Sequence, residues 1–228
     1  MPGTWREADA GLPALTFQYS FGPALSRALA VGIADGLAVA SPPCRVPGAV
    51  LDALAARGPV RALVATNAFH HLGIPEWRRR FPEATVYAPA QSVARVGRKT
   101  GLPVRPLAEL AARSGPHVDF IDMPHYRMGE TLIRMRTGRG VLWYVTDAVF
   151  NFAEVPPNFG VGFLFRVTGS APGLRFNNLG TRFMVRDRPA LKRWLLARHD
   201  EAPPAVMIPA HGEVADVADG RLRTVFAT

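Results

Sequence analysis

Val64-Ala65-Thr66-Asn67-Ala68-Phe69-His70-His71-Leu72-Gly73 runs from an apolar strand directly into a pair of histidines and a glycine. Further on, three isolated polar residues stand where other apolar runs stop. They are His125 after Phe120-Ile121-Asp122-Met123-Pro124, Asp147 after Val141-Leu142-Trp143-Tyr144-Val145-Thr146, and His211 after Val206-Met207-Ile208-Pro209-Ala210. Imidazoles and a carboxylate gathered from several strand ends on one rim of a sheet are a ligand set that zinc and similar ions take. His71, His125, Asp147 and His211 offer that set.

The order and neighbours of these residues resemble the metallo-β-lactamase fold superfamily, whose first motif reads Thr-His-x-His-x-Asp-His-x-Gly. Its later ligands are a lone His, an Asp ending an apolar strand, and a His in a Gly-His-Gly-like turn near the C-terminus. The stretch Asp35-Gly36-Leu37-Ala38-Val39-Ala40-Ser41-Pro42-Pro43 resembles the early strand and turn of that family, so the resemblance covers nearly the whole chain. Laid on the first motif from Thr66, Asn67 and Phe69 fall where the first two His ligands belong, His71 falls on the Asp, and Leu72 falls on the last His. The later positions match better: His125 at the lone His, Asp147 at the bridging Asp, and His211 within Pro209-Ala210-His211-Gly212 at the terminal His.

The resemblance implies a branch of the superfamily with an altered first motif and a depleted site. A fully equipped member holds two metals about 3.5 to 4 Å apart; this chain is left with material for one shell. The expected cofactor is one divalent ion, zinc first and iron or manganese next, or no ion at all. The expected function is that of a metal-dependent hydrolase acting on a small molecule, with His71, His125, Asp147 and His211 as ligands and no separate general base. The alternative is a non-catalytic binding or scaffolding protein that keeps the fold without metal. His70 and His71 are adjacent, so an extended backbone points one of them into a given pocket; the motif selects His71, and His70 takes its place if the loop is shifted by one residue.

Composition sets the outer limits. With 228 residues and 48% hydrophobic content, the chain suffices for one well-buried core, and a single domain over 1–228 is expected. No run approaches about 18 apolar residues, and Met1-Pro2-Gly3-Thr4-Trp5-Arg6-Glu7 lacks a basic region leading into an apolar core, so neither a membrane span nor a signal peptide is expected. One cysteine, Cys44, excludes an intramolecular disulfide and fits a reducing cytoplasm. It lies in a proline-rich turn and is read as packing. The formal charge of +9 comes almost wholly from arginine, since Lys99 and Lys192 are the only lysines. Arg78-Arg79-Arg80 is the only basic run of three and has no interleaved aromatics, so nucleic acid is not an expected partner.

Short apolar runs alternate with amphipathic segments. Strands are expected at 14–19, 28–33, 36–40, 60–66, 85–87, 118–122, 131–136, 141–146 and 205–208. Helices are expected at 48–57, 75–80, 91–99, 106–113 and 188–198, the last capped by Asp187 with Pro189 in its first turn. A meander, then βα units, then a second meander and a final strand give an α/β (α+β) fold. Its layering is an αββα sandwich of two mixed sheets between helices, as in the resembled family.

The stretch from Val149 to Met184 differs in kind, with Phe150, Phe152, Phe159, Phe163, Phe165, Phe176 and Phe183 interleaved with Pro156-Pro157 and Pro172-Gly173. It is expected to line an apolar pocket, to form a homodimer contact, or to fold as a covering helix over 160–167. His117 is read as structural or exposed, and His199 as a helix C-terminal interaction.

Overall fold

The computed structural model describes residues 4–9, 14–21, 24–155 and 159–227. Met1-Pro2-Gly3 and Pro156-Pro157 lie outside them. The first half contains β1 (Arg6–Asp9), β2 (Ala14–Phe21), β3 (Ala24–Ile33), β4 (Gly36–Ala40), α1 (Gly48–Ala55), β5 (Val60–Val64), α2 (Ile74–Arg80), β6 (Thr85–Ala88), α3 (Val93–Thr100), β7 (Val104–Pro106) and α4 (Leu107–Ala111). Its strands form one sheet in the order β1 to β7. The β1 to β4 meander is antiparallel. From β4 onward neighbours are parallel, because α1, α2 and α3 carry the chain back between them.

The second half contains β8 (Val118–Asp122), β9 (Thr131–Thr137), β10 (Gly140–Val145), β11 (Val149–Phe152), α5 (Phe159–Val167), β12 (Gly173–Phe176), α6 (Asn178–Met184), α7 (Arg188–Glu201), β13 (Pro204–Pro209), β14 (Ala215–Asp216) and α8 (Arg221–Ala227). The second sheet has the order β14-β13-β10-β9-β8, and β11 and β12 form a separate two-stranded sheet. Within it β13 is parallel to β10, and the other pairs are antiparallel.

Side-chain alternation makes the layers. Leu29, Val31, Ala38, Ala40, Ala62 and Val64 of the first sheet meet Phe120, Ile133, Met135, Leu142, Tyr144 and Ile208 of the second in one central core. The residues between them point the other way. Ala30, Val39, Leu63 and Val86 pack on Leu51, Leu54, Ile74 and Trp77 of α1 and α2, while Leu132, Trp143, Val145 and Met207 pack on Leu191, Leu195, Leu222 and Phe226 of α7 and α8. Central strands buried on both faces read as unbroken apolar runs, which is why they are legible in the sequence. The two mixed sheets flanked by helices match the expected αββα layering.

Elements absent from the sequence reading are β1, β7, β11, β12, β14, α6 and α8. β1 is an Arg-Glu-Ala-Asp edge strand and β14 has two residues, too short or too polar to carry a period-2 signal. α7 begins as expected: the Asp187 side chain accepts the Ala190 N–H at 2.9 Å, and Pro189 occupies the first turn. Among the described residues no helix is long and apolar enough to cross a membrane.

Candidate metal centre

Parallel pairing of β4 with β5 and of β10 with β13 lets the segments after β5, β10 and β13 leave the two sheets at one rim. His70, Asp147 and His211 meet there. His211 Nε2 lies 3.3 Å from Asp147 Oδ1, and His70 Nε2 lies 3.6 Å from Asp147 Oδ2. One ligand atom from each of the three lies within 4.8 Å of the others. Their side chains are 11%, 16% and 18% exposed in chain order, enclosed yet open on one side.

These spacings are wide for ion-pair hydrogen bonds, which contract to about 2.7–2.9 Å. The edge of a tetrahedron with metal–ligand bonds of about 2.0–2.1 Å measures roughly 3.3–3.4 Å, close to the His211–Asp147 separation. Two imidazoles and a carboxylate are a ligand set for a small divalent cation with a position to spare, once the three draw together around it.

The local fold selects His70. The Asn67 side-chain oxygen accepts the Phe69 and His70 N–H groups at 2.8 and 3.1 Å, an Asx turn that coils the chain as soon as β5 has ended. In the coiled backbone His70 reaches Asp147, while the Nδ1 of His71 turns back onto the Ala68 carbonyl at 3.0 Å. Burial pushes the His71 imidazole below its ordinary pKa, against the Ala68 contact. Gly73 closes the loop: a Cβ there would run into the Pro42 and Pro43 carbonyls.

Of the four ligands expected from the sequence, the structure brings Asp147 and His211 together. His71 lines the same cleft but points to Ala68. His125 is exposed in the turn after β8, with a left-handed backbone (φ 67°) and its carbonyl bonded to the Arg186 N–H at 2.8 Å. It belongs to no metal-capable group among the described residues.

A second carboxylate lies beneath the first. Glu130 is fully buried; its Oε1 accepts the Thr146 and Asp147 N–H groups at 2.9 and 3.0 Å and the Thr146 hydroxyl. The Asn67 amide donates to Glu130 Oε2 at 2.8 Å and to Asp147 Oδ2 at 2.7 Å, so it stands between the two acids. Burial, then the charge of Asp147, pushes the Glu130 carboxyl up to about 8 against those donors. Burial would raise Asp147 as well, but His70 and His211 hold it far below the ordinary carboxylate range. For His211 burial works downward, and the Asp147 carboxylate overrides it to leave the imidazole raised. The Glu130 and Asn67 clamp was missed by sequence reasoning. Its one signal is a lone acid between Gly129 and the apolar start of β9.

Asn67→Leu keeps the bulk but removes the donor between two buried carboxyls. It is expected to lower folding stability by about 2–4 kcal/mol, measured as a denaturant midpoint at neutral pH. A variant as stable as the parent would show that the clamp contributes nothing.

The His211 loop is held from three sides. Ala210 N–H bonds the Val145 carbonyl at 2.8 Å, and Asn151 N–H bonds the His211 carbonyl at 3.1 Å. The buried Arg27 guanidinium donates to the Pro209 and Gly212 carbonyls at 3.1 and 2.7 Å. Gly212 has φ 104°, and a Cβ there would strike the Asn151 carbonyl, so glycine is needed for the approach.

The trio opens into a cleft of about 400 Å³ whose other walls include Pro42, Cys44, Phe69 and Leu72. Tyr19 and Ser26, opposed in the β2–β3 register, also line it. A larger groove of about 1200 Å³ along β1 and β2 shares Tyr19, Cys44 and Leu72 with the cleft but contains none of the three metal-capable side chains.

No protein-family model matches the sequence, and no curated protein does. Solved structures match throughout. The chain is similar to the DIM-1 metallo-β-lactamase, with TM-score 0.64, 13% identity, and coverage of 100% of this chain and 98% of that one. It is similar to the metallo-β-lactamase FIM-1 from Pseudomonas aeruginosa in its mono-zinc form, with TM-score 0.62, 17% identity, and coverage of 100% and 94%. It is also similar to the metal-soaked Flv1 flavodiiron core from Synechocystis sp. PCC6803, with TM-score 0.61, 10% identity, and coverage of 100% and 61%. At these identities the likeness is one of fold.

Proposed function

Because this chain has the metallo-β-lactamase fold, we propose that it is a metal-dependent hydrolase built on a single divalent ion held by His70, Asp147 and His211. The observation that carries this reading is the convergence of those three side chains at the strand-end rim. Zinc suits two imidazoles and one carboxylate best, with iron or manganese next. A divalent ion in such a shell acidifies water and polarises a carbonyl or phosphoryl oxygen.

The chain's own residues do the remainder. Asp147 offsets the ion's charge, and the Asn67 amide fixes its Oδ2 so that the carboxylate keeps one orientation. Pro42, Phe69 and Leu72 give the cleft apolar walls for the body of a small-molecule substrate, and Tyr19 lines it beside them. A second reading, a binding protein that keeps the fold without metal, is favoured by Phe69 and Leu72. These stand where the resembled motif has His and are 43% and 54% exposed.

The deciding experiment is metal content per chain, in protein purified without chelator or nickel resin, together with turnover of esters, lactones, lactams and phosphodiesters. About one equivalent is expected in the parent and in His71→Ala, with loss in His70→Ala and His211→Ala. No metal after incubation with excess zinc would overturn the hydrolase reading and leave the binding protein.

A further inference from the structure

From Val155 to Arg186 the sequence contains no acidic residue, but it contains Arg166, Arg175, Arg182 and Arg186 and five of the phenylalanines. α5 lies in this stretch, and its Phe165 packs on Phe150 and Phe152 of the body, with ring centroids 5.7 and 5.9 Å apart. Phe150 in turn lies edge-on to His211 at 5.5 Å. The outer side of α5 is apolar and uncovered, with Phe163 59%, Leu164 45% and Val167 60% exposed, and on α6 Phe183 is 72% exposed. Arg166, Arg175 and Arg182 are exposed in the same segment.

Exposed large apolar side chains on one helix face call for an occupant. Two classes differ in charge. A second copy of the chain, packed face to face, would bring a second set of these arginines to the same patch with no acid in the segment to pair them. An anionic lipid surface accepts both features at once: the apolar side chains enter the acyl boundary, and the guanidinium groups meet the headgroup phosphates and carboxylates.

We infer that the outer face of α5, with the exposed arginines of the same segment, docks this protein onto an anionic lipid surface. The helix lies in the interface and does not span it. The sequence alone left this segment three roles, an apolar pocket lining, a homodimer contact or a covering helix over 160–167, and predicted no membrane span; docking on a lipid surface is a further role. The packing of Phe165 on Phe150 then leaves the cleft at His211 next to the docked surface.

The test is co-sedimentation of the full chain with phosphatidylcholine vesicles, with and without added phosphatidylserine, which makes the surface negative. The reading is binding, so it stands or falls separately from metal content and turnover. Binding to the anionic vesicles alone is expected, weakening as salt rises. At least a tenfold loss of affinity is expected in Phe163→Ser/Val167→Ser and separately in Arg166→Glu/Arg182→Glu. All four side chains named are exposed, and an unchanged unfolding transition in each variant controls for folding. No binding, equal binding to both vesicle types, or parent-like binding by both variants would overturn the inference. So would a concentration-dependent dimer abolished by the same substitutions, which would assign the face to a second copy.

Discussion

Asp147→Asn is expected to weaken divalent-ion binding by more than about a hundredfold, since loss of outer-shell partners alone costs a metal site 10- to 100-fold and this change removes the only charge in the inner set. Asp147 lies 3.3 Å from His211 and 3.6 Å from His70, so without it the two imidazoles would face a cation with no compensating anion. Competition with a chromophoric zinc chelator reads the affinity directly. The metal-free protein should respond differently. The substitution also removes the carboxylate that helps push Glu130 up, so the metal-free variant should lose stability with rising pH less steeply than the metal-free parent. Equal zinc affinity in parent and variant would remove Asp147 from the centre, and with it the proposed hydrolase.

Metal-free protein should lose stability as pH rises from 5 to 9. Glu130 is the main source. Its folded pKa, about 8, lies above the ordinary 4.5, so the folded state holds an extra proton between those values. The stability this gives is complete below the lower value and is lost as pH rises through the upper. His211 is raised as well and has the same sign: its contribution is present below its ordinary 6.5 and disappears as pH passes its folded value. Asp147 has the opposite sign, but its held-down pKa places its loss in strong acid, outside this range. His71, pushed down by burial, opposes the trend only below its ordinary pKa. At 1.36 kcal/mol per pKa unit the Glu130 shift corresponds to something on the order of 5 kcal/mol. Denaturant midpoints across the range should therefore fall in the parent and flatten in Glu130→Gln. A flat parent curve would mean that the four donors around Glu130 keep it ionised throughout. Added zinc should reverse the slope, because its ligands must be deprotonated.

Much of the layering was legible because burial on both faces leaves a mark on the chain. Val141 to Thr146 and Val206 to Pro209 read as strands from their apolar runs alone, and the polar residues that end them, Asp147 and His211, are at the site. The edge strands β1 and β14 leave no such mark because they are too polar or too short, and β11 and β12, with four residues each, are too short to set a period.

The sequence by itself determined the sandwich and two of its three metal-capable groups, because strand ends are fixed by hydrophobic pattern and a carboxylate or imidazole there projects at the rim. Which of two adjacent histidines joins them was decided only in three dimensions. Asn67 caps the Phe69 and His70 amides, the chain coils, and the neighbouring imidazole is turned onto the Ala68 carbonyl. His125 was likewise placed by tertiary contacts, through a left-handed backbone and a bond from Arg186. Glu130 became part of the site because the Asn67 amide reaches across 63 residues to bind it, and a hydrogen bond between residues so far apart leaves no pattern in the local sequence.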